Sequence, residues 1–394
     1  MKVISVDILK LSRNNSGGQT PVLVRINTDE GIYGYGEAGV SIGDYSLGCI
    51  ELLRGFARQL IGRDPLENDV IYAQLISGFW AQGNGGVILA AISAVDTALW
   101  DLKGKYFGVP LYVLLGGKHR DRIRAYASQL QNGWKYEDFI GAPGDLEFLK
   151  DACRSAVEEG YDCIKVDFVA KHLDGTRIDR NEGKTHLSVR TMREIEQKLE
   201  AVREVIGPDV ELILENHCIT GANTAIQFGK LAQNYDPILL EEPANPSDVL
   251  DYERIRDAVD IPLATGERIY TRRGFLPLLE RGLLETIQPD LGNCGGITEG
   301  RKIADLAETF GATVQTHTCN TPLSVALALQ LEAAIPNFII HEHHTTNTFR
   351  HNTESFIYDY QPVNGYFELP TLPGIGNEPT EKTLREAEII TVRP

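Results

Sequence analysis

Three glutamates end successive apolar segments in the middle of the chain. Glu215 closes "ELILE", Glu241 closes "ILLE" and Glu267 follows "PLATG". If these segments are parallel strands of one barrel, their carboxyl ends meet on a single rim and bring the three carboxylates together. Carboxylates held this close raise one another's pKa unless a cation lies between them. Because oxygen ligands without cysteine or histidine suit a hard ion, the pattern predicts a Mg²⁺ site.

Other segments of the same kind end in groups that suit proton transfer. These residues are Lys165, His217, Asp290, His317 and Glu342. Asp290 and His317 end neighbouring segments, so a barrel would bring them within hydrogen-bonding reach. An aspartate that orients an imidazole makes it a better-placed and stronger base, so we interpret this pair as a proton abstractor.

Each of these signals also has a purely structural explanation. A glutamate after a strand can stabilise the N-terminus of the next helix, and Asp290 within "QPD" can be a turn residue. His317 can be a hydrogen-bonded core histidine, and Lys165 can extend its amine to solvent from a strand end. The joint register of the strand ends favours a functional site. For His343 and His344 we expect a structural or substrate-contacting role.

The elements that must position these groups alternate along the middle of the chain. Short apolar strands are predicted at "RIRAYAS", "CIKVDF", "ELILEN", "ILLEEP", "PLATGE", "ETIQPD", "TVQTHT" and "FIIHE". Amphipathic helical segments such as "TMREIEQKLEAVREVIG" and "GRKIADLAETFG" fall between them. Eight strands with intervening helices are what a parallel β/α barrel requires, although a doubly wound open sheet has the same local pattern.

The segments outside this alternation differ in composition. Residues 1–125 contain alternating strands followed by helices that end at glycine, which indicates an α+β module. Residues 126–350 carry the barrel pattern. Residues 351–394 revert to loops and short strands, and we expect them to pack back against the first module.

Composition excludes several classes of function. The 394 residues are 42% hydrophobic and carry a net charge of −17, so nucleic acid is a poor partner for this chain. Six dispersed cysteines without a CxxC pair fit reduced thiols in the cytoplasm. No apolar run reaches the roughly 18 residues of a membrane span, and the first residues lack a signal-peptide pattern.

Six motifs along nearly the whole chain resemble one known family. They are "DEGIYGYGEA", "AISAVDTALWDLKGK", "LLEEP", "ATGER", "QPDLGNCGGITEGRKIA" and "PGIG". Together they resemble the enolase superfamily, in particular its mandelate racemase-like group. The resemblance implies a (β/α)₇β modified TIM barrel, an N-terminal α+β capping domain completed by the C-terminal segment, and one Mg²⁺. It also implies a reaction that begins by removing the proton α to a substrate carboxylate, and a homo-oligomer.

The resemblance assigns roles by position. Glu215, Glu241 and Glu267 match the metal ligands, although the first of these is usually aspartate in that group. The racemases of the group resemble one another in a Lys-x-Lys pair, of which only the first lysine is present here. Lys165 therefore matches a group that neutralises the substrate carboxylate, while Asp167 replaces the lysine base.

The remaining positions resemble the galactonate dehydratase-like members. His217 matches the acid that protonates the departing 3-hydroxyl, and Glu342 matches a protonated donor to the enediolate oxygen. We therefore predict a Mg²⁺-dependent dehydratase of an aldonate or aldarate. The alternatives are an epimerase or racemase that uses 1,1-proton transfer, and a metal-binding barrel with little turnover.

Three loops are candidates for substrate selection. "NNSGGQT", residues 14–20, and "FWAQGNGG", residues 79–86, resemble the substrate-covering loops of the family, and Trp80 could line the distal end of the substrate. The polar segment 169–186 has no periodicity and could be a lid or a specificity element.

Overall fold

The structure is a computed structural model that describes residues 1–12, 20–39, 45–82, 85–139 and 141–394. Residues 14–19 of the first candidate covering loop and residues 83–84 of the second lie outside the described residues. The strands are β1 (Val3–Lys10), β2 (Val22–Thr28), β3 (Tyr33–Ala38), β4 (Arg122–Ser128), β5 (Cys163–Asp167), β6 (Glu211–Glu215), β7 (Pro237–Glu241), β8 (Leu263–Thr265), β9 (Thr286–Ile287), β10 (Thr313–Val314), β11 (His341–His344), β12 (Tyr366–Glu368) and β13 (Glu388–Val392).

The helices fall between these strands and after them. The α-helices are α1 (Tyr45–Leu60), α2 (Asn68–Gly78), α3 (Gly86–Phe107), α4 (Leu111–Leu114), α5 (Leu146–Glu158), α6 (Arg180–Thr185), α7 (Val189–Ile206), α8 (Ala222–Ala232), α9 (Val249–Arg256), α10 (Thr271–Leu279), α11 (Gly296–Thr309), α12 (Pro322–Ala334), α13 (Arg350–Thr353) and α14 (Glu381–Glu386). Short 3₁₀ turns occupy Leu130–Asn132, Gln233–Tyr235 and Thr345–Thr348.

Strands β4 to β11 form one parallel sheet that curls into a barrel. The strands pair in chain order from β4 to β10, and β11 pairs with β4. The ring closes at Val314, whose N–H donates to the carbonyl oxygen of Asn337 at 2.8 Å and whose carbonyl accepts from the N–H of Ile339 at 3.0 Å. Crossover helices α5 and α7 to α12 join successive strands, so the predicted (β/α)₇β barrel is confirmed.

The local sequence explains why these elements form. The barrel strands are buried on both faces, as near-continuous apolar runs of a parallel sheet must be. Helix α7 begins after Ser188, whose Oγ accepts from the N–H of Thr191 at 3.2 Å, and ends before Gly207, which has a φ of 72°. Its buried Ile195 and Leu199 are four residues apart and face the sheet.

The N-terminal module is an antiparallel sheet covered by helices. The strand order is β13-β1-β2-β3, so a strand from the last part of the chain pairs with the first strand. Helix α3 packs so closely on β3 that a Cβ on Gly34 would lie 2.1 Å from the carbonyl oxygen of Ala98. A Cβ on Gly36 would lie 2.0 Å from that of Ala94, which explains the alternation in "YGYGEA".

Polar contacts join this module to the barrel. The Asp96 carboxylate on α3 accepts from the backbone N–H of Thr298 at 2.9 Å and from its hydroxyl at 2.6 Å, at the start of α11. Glu37 on β3 accepts from the hydroxyls of Thr321 at 2.6 Å and Ser324 at 2.8 Å, at the start of α12. The cap thus rests on the two helices that follow the sixth and seventh barrel strands.

The division of the chain at residues 125 and 350 stays a prediction. Among the described helices, none has the length and apolar character needed to cross a bilayer.

Candidate active site

The three glutamates predicted to bind metal converge on the carboxyl rim of the barrel. One carboxylate oxygen from each of Glu215, Glu241 and Glu267 lies within 4.8 Å of the others. Glu215 and Glu241 are buried, and Glu267 is partly exposed. The Oε2 atom of Glu241 is buried and has no hydrogen-bond partner among the described residues. An all-oxygen cluster with such an unsatisfied atom can bind a hard divalent ion.

Lys165 lies among these carboxylates. Its Nζ is 2.6 Å from Oε1 of Glu241, 3.1 Å from Oε2 of Glu215 and 3.0 Å from Oε1 of Glu342. Only 1% of its side chain is exposed, and the surrounding carboxylates hold its pKa well above the usual lysine value against the effect of burial. Lys165 is therefore a buried cation that offsets the charge of the cluster.

The extra methylene of Glu215, compared with aspartate, has a visible consequence. Its Oε1 accepts from the backbone N–H of His217 at 2.7 Å, two residues along the chain. Burial would raise its pKa, but His217 and Lys165 together lower it to about 2. By contrast, burial and the neighbouring Glu215 raise the pKa of Glu241 well above its usual range. Asn216 bonds to the hydroxyl of Thr220 instead of joining the cluster.

His317 and Asp290 form the predicted pair. Nδ1 of His317 is 2.8 Å from Oδ2 of Asp290, and Gly292 donates its N–H to the other oxygen of Asp290 at 2.7 Å. The second ring nitrogen, Nε2, lies 3.4 Å from Oε2 of Glu267. Burial would lower the pKa of His317, but Cys319, Glu267 and Asp290 raise it well above the usual histidine value. Asp290 thus orients a ring whose second nitrogen faces the cluster.

His217 is held in the same manner from the opposite side of the barrel. Its strand, β6, is third in the ring and β10 is seventh, so the two histidines face each other across the rim. Nδ1 of His217 is 2.6 Å from Oδ2 of Asp167, which ends β5. His217 and Cys218 both have left-handed backbone, with φ of 44° and 55°. This strained turn directs the imidazole back over the rim.

Two partners of His217 do not follow from the sequence pattern. The resemblance presents Asp167 only as the replacement of a lysine base, although the register pairs Asp167 with Glu215 and so places it near residue 217. Gln129, in the loop after β4, gives no sequence signal, and its Nε2 is 3.0 Å from Nε2 of His217.

The partners of His217 have opposite effects on its protonation. Burial would lower its pKa, but Glu215 and Asp167 raise it to about 10, which favours the imidazolium. The N–H of Gln129 instead favours an unprotonated Nε2.

Glu342 accepts hydrogen bonds at both of its oxygens. Ser128 donates its hydroxyl to Oε1 at 2.7 Å, and Thr318 donates its N–H to Oε2 at 3.0 Å. Burial would raise the pKa of Glu342, but Lys165 and His317 hold it well below the usual range. In this arrangement Glu342 is an acceptor, so its predicted role as a protonated donor requires Lys165 to release it and stays a prediction.

Other residues singled out from the sequence lie in different surroundings. His343 is buried, with Nδ1 2.5 Å from the hydroxyl of Tyr161, and its structural or substrate-contacting role stays a prediction. His344 is also buried, and burial lowers its pKa to about 3. Trp80 is 85% exposed and therefore makes little contact with the rest of the chain.

The segment 169–186 supports the turn that carries His217. Lys184 in α6 donates from Nζ to the carbonyl oxygens of Cys218 at 2.8 Å and Thr220 at 3.3 Å. The carbonyl of Gly183 accepts from the N–H of Gly221 at 3.2 Å. These contacts give the segment a supporting role, and its predicted role in specificity stays a prediction.

Two family models match the chain. An enolase C-terminal domain-like family model matches residues 148–383, and a mandelate racemase / muconate lactonizing enzyme N-terminal domain model matches residues 3–116. The chain belongs to the mandelate racemase and muconate lactonizing enzyme family. Members of the wider enolase superfamily use a divalent metal ion, and the three glutamates of this member could bind one.

The chain is similar to proteins that are named as dehydratases or as a cycloisomerase. D-gluconate dehydratase of Thermoproteus tenax is 32% identical over 93% of this chain and 69% of its own. D-galactonate dehydratase of Variovorax paradoxus (strain S110) is 30% identical, over 96% of this chain and 94% of its own. D-galactarolactone cycloisomerase of Agrobacterium fabrum (strain C58) is 32% identical, over 93% of this chain and 90% of its own.

A solved structure has the same overall architecture. A member of the enolase superfamily from Salmonella Typhimurium is 44% identical to this family member, with a TM-score of 0.94 over 100% of both chains.

Proposed function

We propose that the protein is a Mg²⁺-dependent dehydratase that converts an aldonate or aldarate to a 2-keto-3-deoxy acid. One observation carries the proposal: two histidine–aspartate pairs face one cluster of three glutamates from opposite sides of the barrel. β-Elimination of water from a carboxylic acid needs a base for the α-proton and an acid for the departing hydroxyl. The relatives named as acid sugar dehydratases support the same substrate class.

The cluster suits a hard cation, and Glu215, Glu241 and Glu267 would hold it. All their donor atoms are oxygens, and the buried Oε2 of Glu241 has no other partner. When bound, Mg²⁺ supplies positive charge beside the substrate carboxylate as the α-carbon loses its proton. Side chains of the protein carry out the proton transfers.

His317 accepts the α-proton at Nε2, because Asp290 occupies Nδ1. Cys319, Glu267 and Asp290 raise the pKa of His317 above the usual histidine value, so the ring, once it has lost its proton, is a stronger base than a free imidazole. Asp290 then stabilises the imidazolium that forms. His317 is the base of this proposal.

His217 protonates the leaving 3-hydroxyl from Nε2, because Asp167 occupies its Nδ1. The bond between C3 and oxygen breaks, and the hydroxyl leaves as water with the proton of His217. The electron pair from the broken C2–H bond forms the C2–C3 double bond of an enol. The enol then tautomerises to the 2-keto-3-deoxy acid. The pKa of His217, raised to about 10, favours the imidazolium, in which Nε2 must give up its contact with Gln129 before this step.

Epimerisation or racemisation is the second candidate, because His217 and His317 lie on opposite sides of the barrel. Two histidines on opposite faces of a substrate could also exchange a proton at one carbon, as an epimerase or racemase requires. Such a reaction releases no 2-keto acid, so the product separates the two candidates.

The test is a screen of the purified protein with Mg²⁺ against aldonates and aldarates, with 2-keto acids detected by semicarbazide. We expect one or a few acids to give product, which depends on Mg²⁺ and disappears in His317→Asn. Absence of product from every acid, in a protein that still binds Mg²⁺, would overturn the assignment and favour isomerisation or binding without turnover.

The proposal includes three properties that the sequence predicts. We place the enzyme in the cytoplasm and expect a homo-oligomer. We also propose the division into a cap over residues 1–125, a barrel over 126–350 and a C-terminal segment over 351–394.

A further inference from the structure

His217 belongs to a closed ring of hydrogen bonds that also contains two glutamines. We propose that Gln129 and Gln131 are positioning residues, which hold the His217 imidazole against Asp167. The effect on catalysis rests on the proposed function of His217. The effect on the imidazole itself does not depend on that function.

The ring consists of four contacts in sequence. The backbone N–H of Asp167 donates to Oε1 of Gln131 at 3.1 Å, and Nε2 of Gln131 donates to Oε1 of Gln129 at 2.5 Å. Nε2 of Gln129 is 3.0 Å from Nε2 of His217. Nδ1 of His217 returns to Oδ2 of Asp167 at 2.6 Å. Both ring nitrogens of the imidazole are therefore held, one by each end of the same chain of contacts.

The direction of the chain is set by one backbone group. A carboxamide can exchange its oxygen and nitrogen by a half-turn, whereas the N–H of Asp167 can only donate. Gln131 must therefore present its oxygen to Asp167 and its nitrogen to Gln129. Gln129 in turn presents its nitrogen to His217. The orientation of both carboxamides thus follows from the position of β5.

The geometry of β6 does not fix the direction of the His217 side chain, so the imidazole needs other contacts to hold it. His217 lies beyond the end of β6 with a φ of 44°, so the alternation of the strand does not determine the direction of its side chain. Its side chain is 27% exposed, so close packing does not immobilise it. Contacts at both nitrogens take the place of packing.

The backbone of the loop after β4 makes the ring possible. Gln129 is buried and has a φ of 71°, a left-handed conformation that is uncommon for a residue with a side chain. Gln131 follows in the 3₁₀ turn Leu130–Asn132. Strain at a residue that directs its side chain into a site is often functional. Gln131 contacts Gln129 and the backbone N–H of Asp167, and it acts on His217 through these two residues.

The first test is structural and does not depend on activity. Gln131→Met keeps the length of the side chain and removes its hydrogen bonds. We expect crystal structures of this variant to show the imidazole turned away, with Nδ1 more than about 3.5 Å from Oδ2 of Asp167. Gln129→Met should show the same displacement by removing the direct contact.

The matched control is Gln227→Met, which removes a half-buried glutamine that hydrogen-bonds only the backbone of Leu187. It should leave the imidazole in place. An imidazole that keeps its position in both Gln131→Met and Gln129→Met would overturn the proposal, even if the wild-type protein proves to have another activity.

The second test measures the consequence for catalysis. A misplacement of about 1 Å can reduce a rate about 100-fold, so we expect Gln131→Met to lower kcat by up to this factor with little change in KM. Exchange of the substrate α-proton in D₂O, which requires His317 but not His217, should persist. Equal losses of exchange and dehydration would contradict a role through His217. A wild-type protein without dehydration would instead contradict the proposed function.

Discussion

Oδ2 of Asp167 lies 2.6 Å from Nδ1 of His217, although 50 residues separate the two in sequence. Asp290 and His317 repeat this arrangement at 2.8 Å on the opposite side of the barrel. In each pair the aspartate holds Nδ1, while Nε2 lies near Glu267 in His317 and near Gln129 in His217. The site therefore has two similar imidazole–carboxylate pairs, and their surroundings must determine which of them releases a proton and which accepts one.

Asp167→Asn should weaken the acid of this site. Loss of the carboxylate removes one of the charges that raise the pKa of His217 to about 10, so the imidazolium forms less readily. We expect kcat for dehydration to fall roughly 10- to 100-fold and its alkaline limb to move to lower pH. The measurement is kcat against pH, with Asp162→Asn, which removes an exposed partner of Arg124, as the control. An unchanged alkaline limb would count against the role of Asp167.

Glu215→Gln should abolish stabilisation by Mg²⁺. An ion that binds only the folded state adds about 2.7 kcal/mol to the free energy of unfolding at one hundred times its Kd. Thermal unfolding with and without Mg²⁺ measures this increment. The control is Glu211→Gln, which lies at the opposite end of the same strand and pairs with Arg124. Equal increments in both variants would exclude Glu215 as a ligand.

Lys165→Met should make the fold more dependent on the ion. Removal of the cation leaves buried carboxylates facing one another, and loss of one partner of a buried ion pair costs about 3 to 5 kcal/mol. We expect a lower Tm without Mg²⁺ and a larger rise on its addition than in wild type. Lys198→Met, at a buried lysine that bonds only to the carbonyl of Lys171, is the control. A smaller rise than in wild type would contradict the prediction.

Glu37 should make the stability of the N-terminal cap depend on pH. Burial raises its pKa to about 7, against the opposing effect of hydrogen bonds from Thr321 and Ser324. Because the folded state binds this proton more tightly than the unfolded state, the contribution to stability is full below about pH 4.5 and is lost as pH rises through 7. Relative to wild type, Glu37→Gln should therefore gain up to about 3 kcal/mol between pH 4.5 and pH 8.

Denaturant unfolding at several pH values tests this prediction. Glu51→Gln on the exposed face of α1 serves as the control, because its carboxylate pairs only with Arg54 at the surface. A difference between Glu37→Gln and wild type that does not vary with pH would show that Glu37 is not the titrating group.

The strand ends could be predicted from the sequence because a parallel barrel places them on one rim. The alternation of strand and helix was enough to predict that Glu215, Glu241 and Glu267 lie close together. The same alternation predicted the contact between Asp290 and His317, which follow adjacent strands. No side-chain detail entered these predictions. They depended on backbone geometry alone.

The contacts of His217 and Lys165 could not be predicted in this way. The left-handed backbone at His217 interrupts the alternation of strand faces, so its partners Asp167 and Gln129 could not be identified from periodicity. Lys165 lies among the glutamates, and its role toward a substrate carboxylate stays a prediction. Its position depends on the balance of buried charges, which no local pattern contains.

The pairing of β13 with β1 has a consequence for how the chain folds during synthesis. β1 emerges early from the ribosome, whereas Glu388–Val392 emerges after the entire barrel. Until then one edge of β1 has unpaired N–H and C=O groups, which can pair with other chains. Translation that stalls or stops before residue 388 would release a barrel whose cap exposes a strand edge. We expect such fragments to aggregate or to be degraded, so the cell is left mainly with full-length copies.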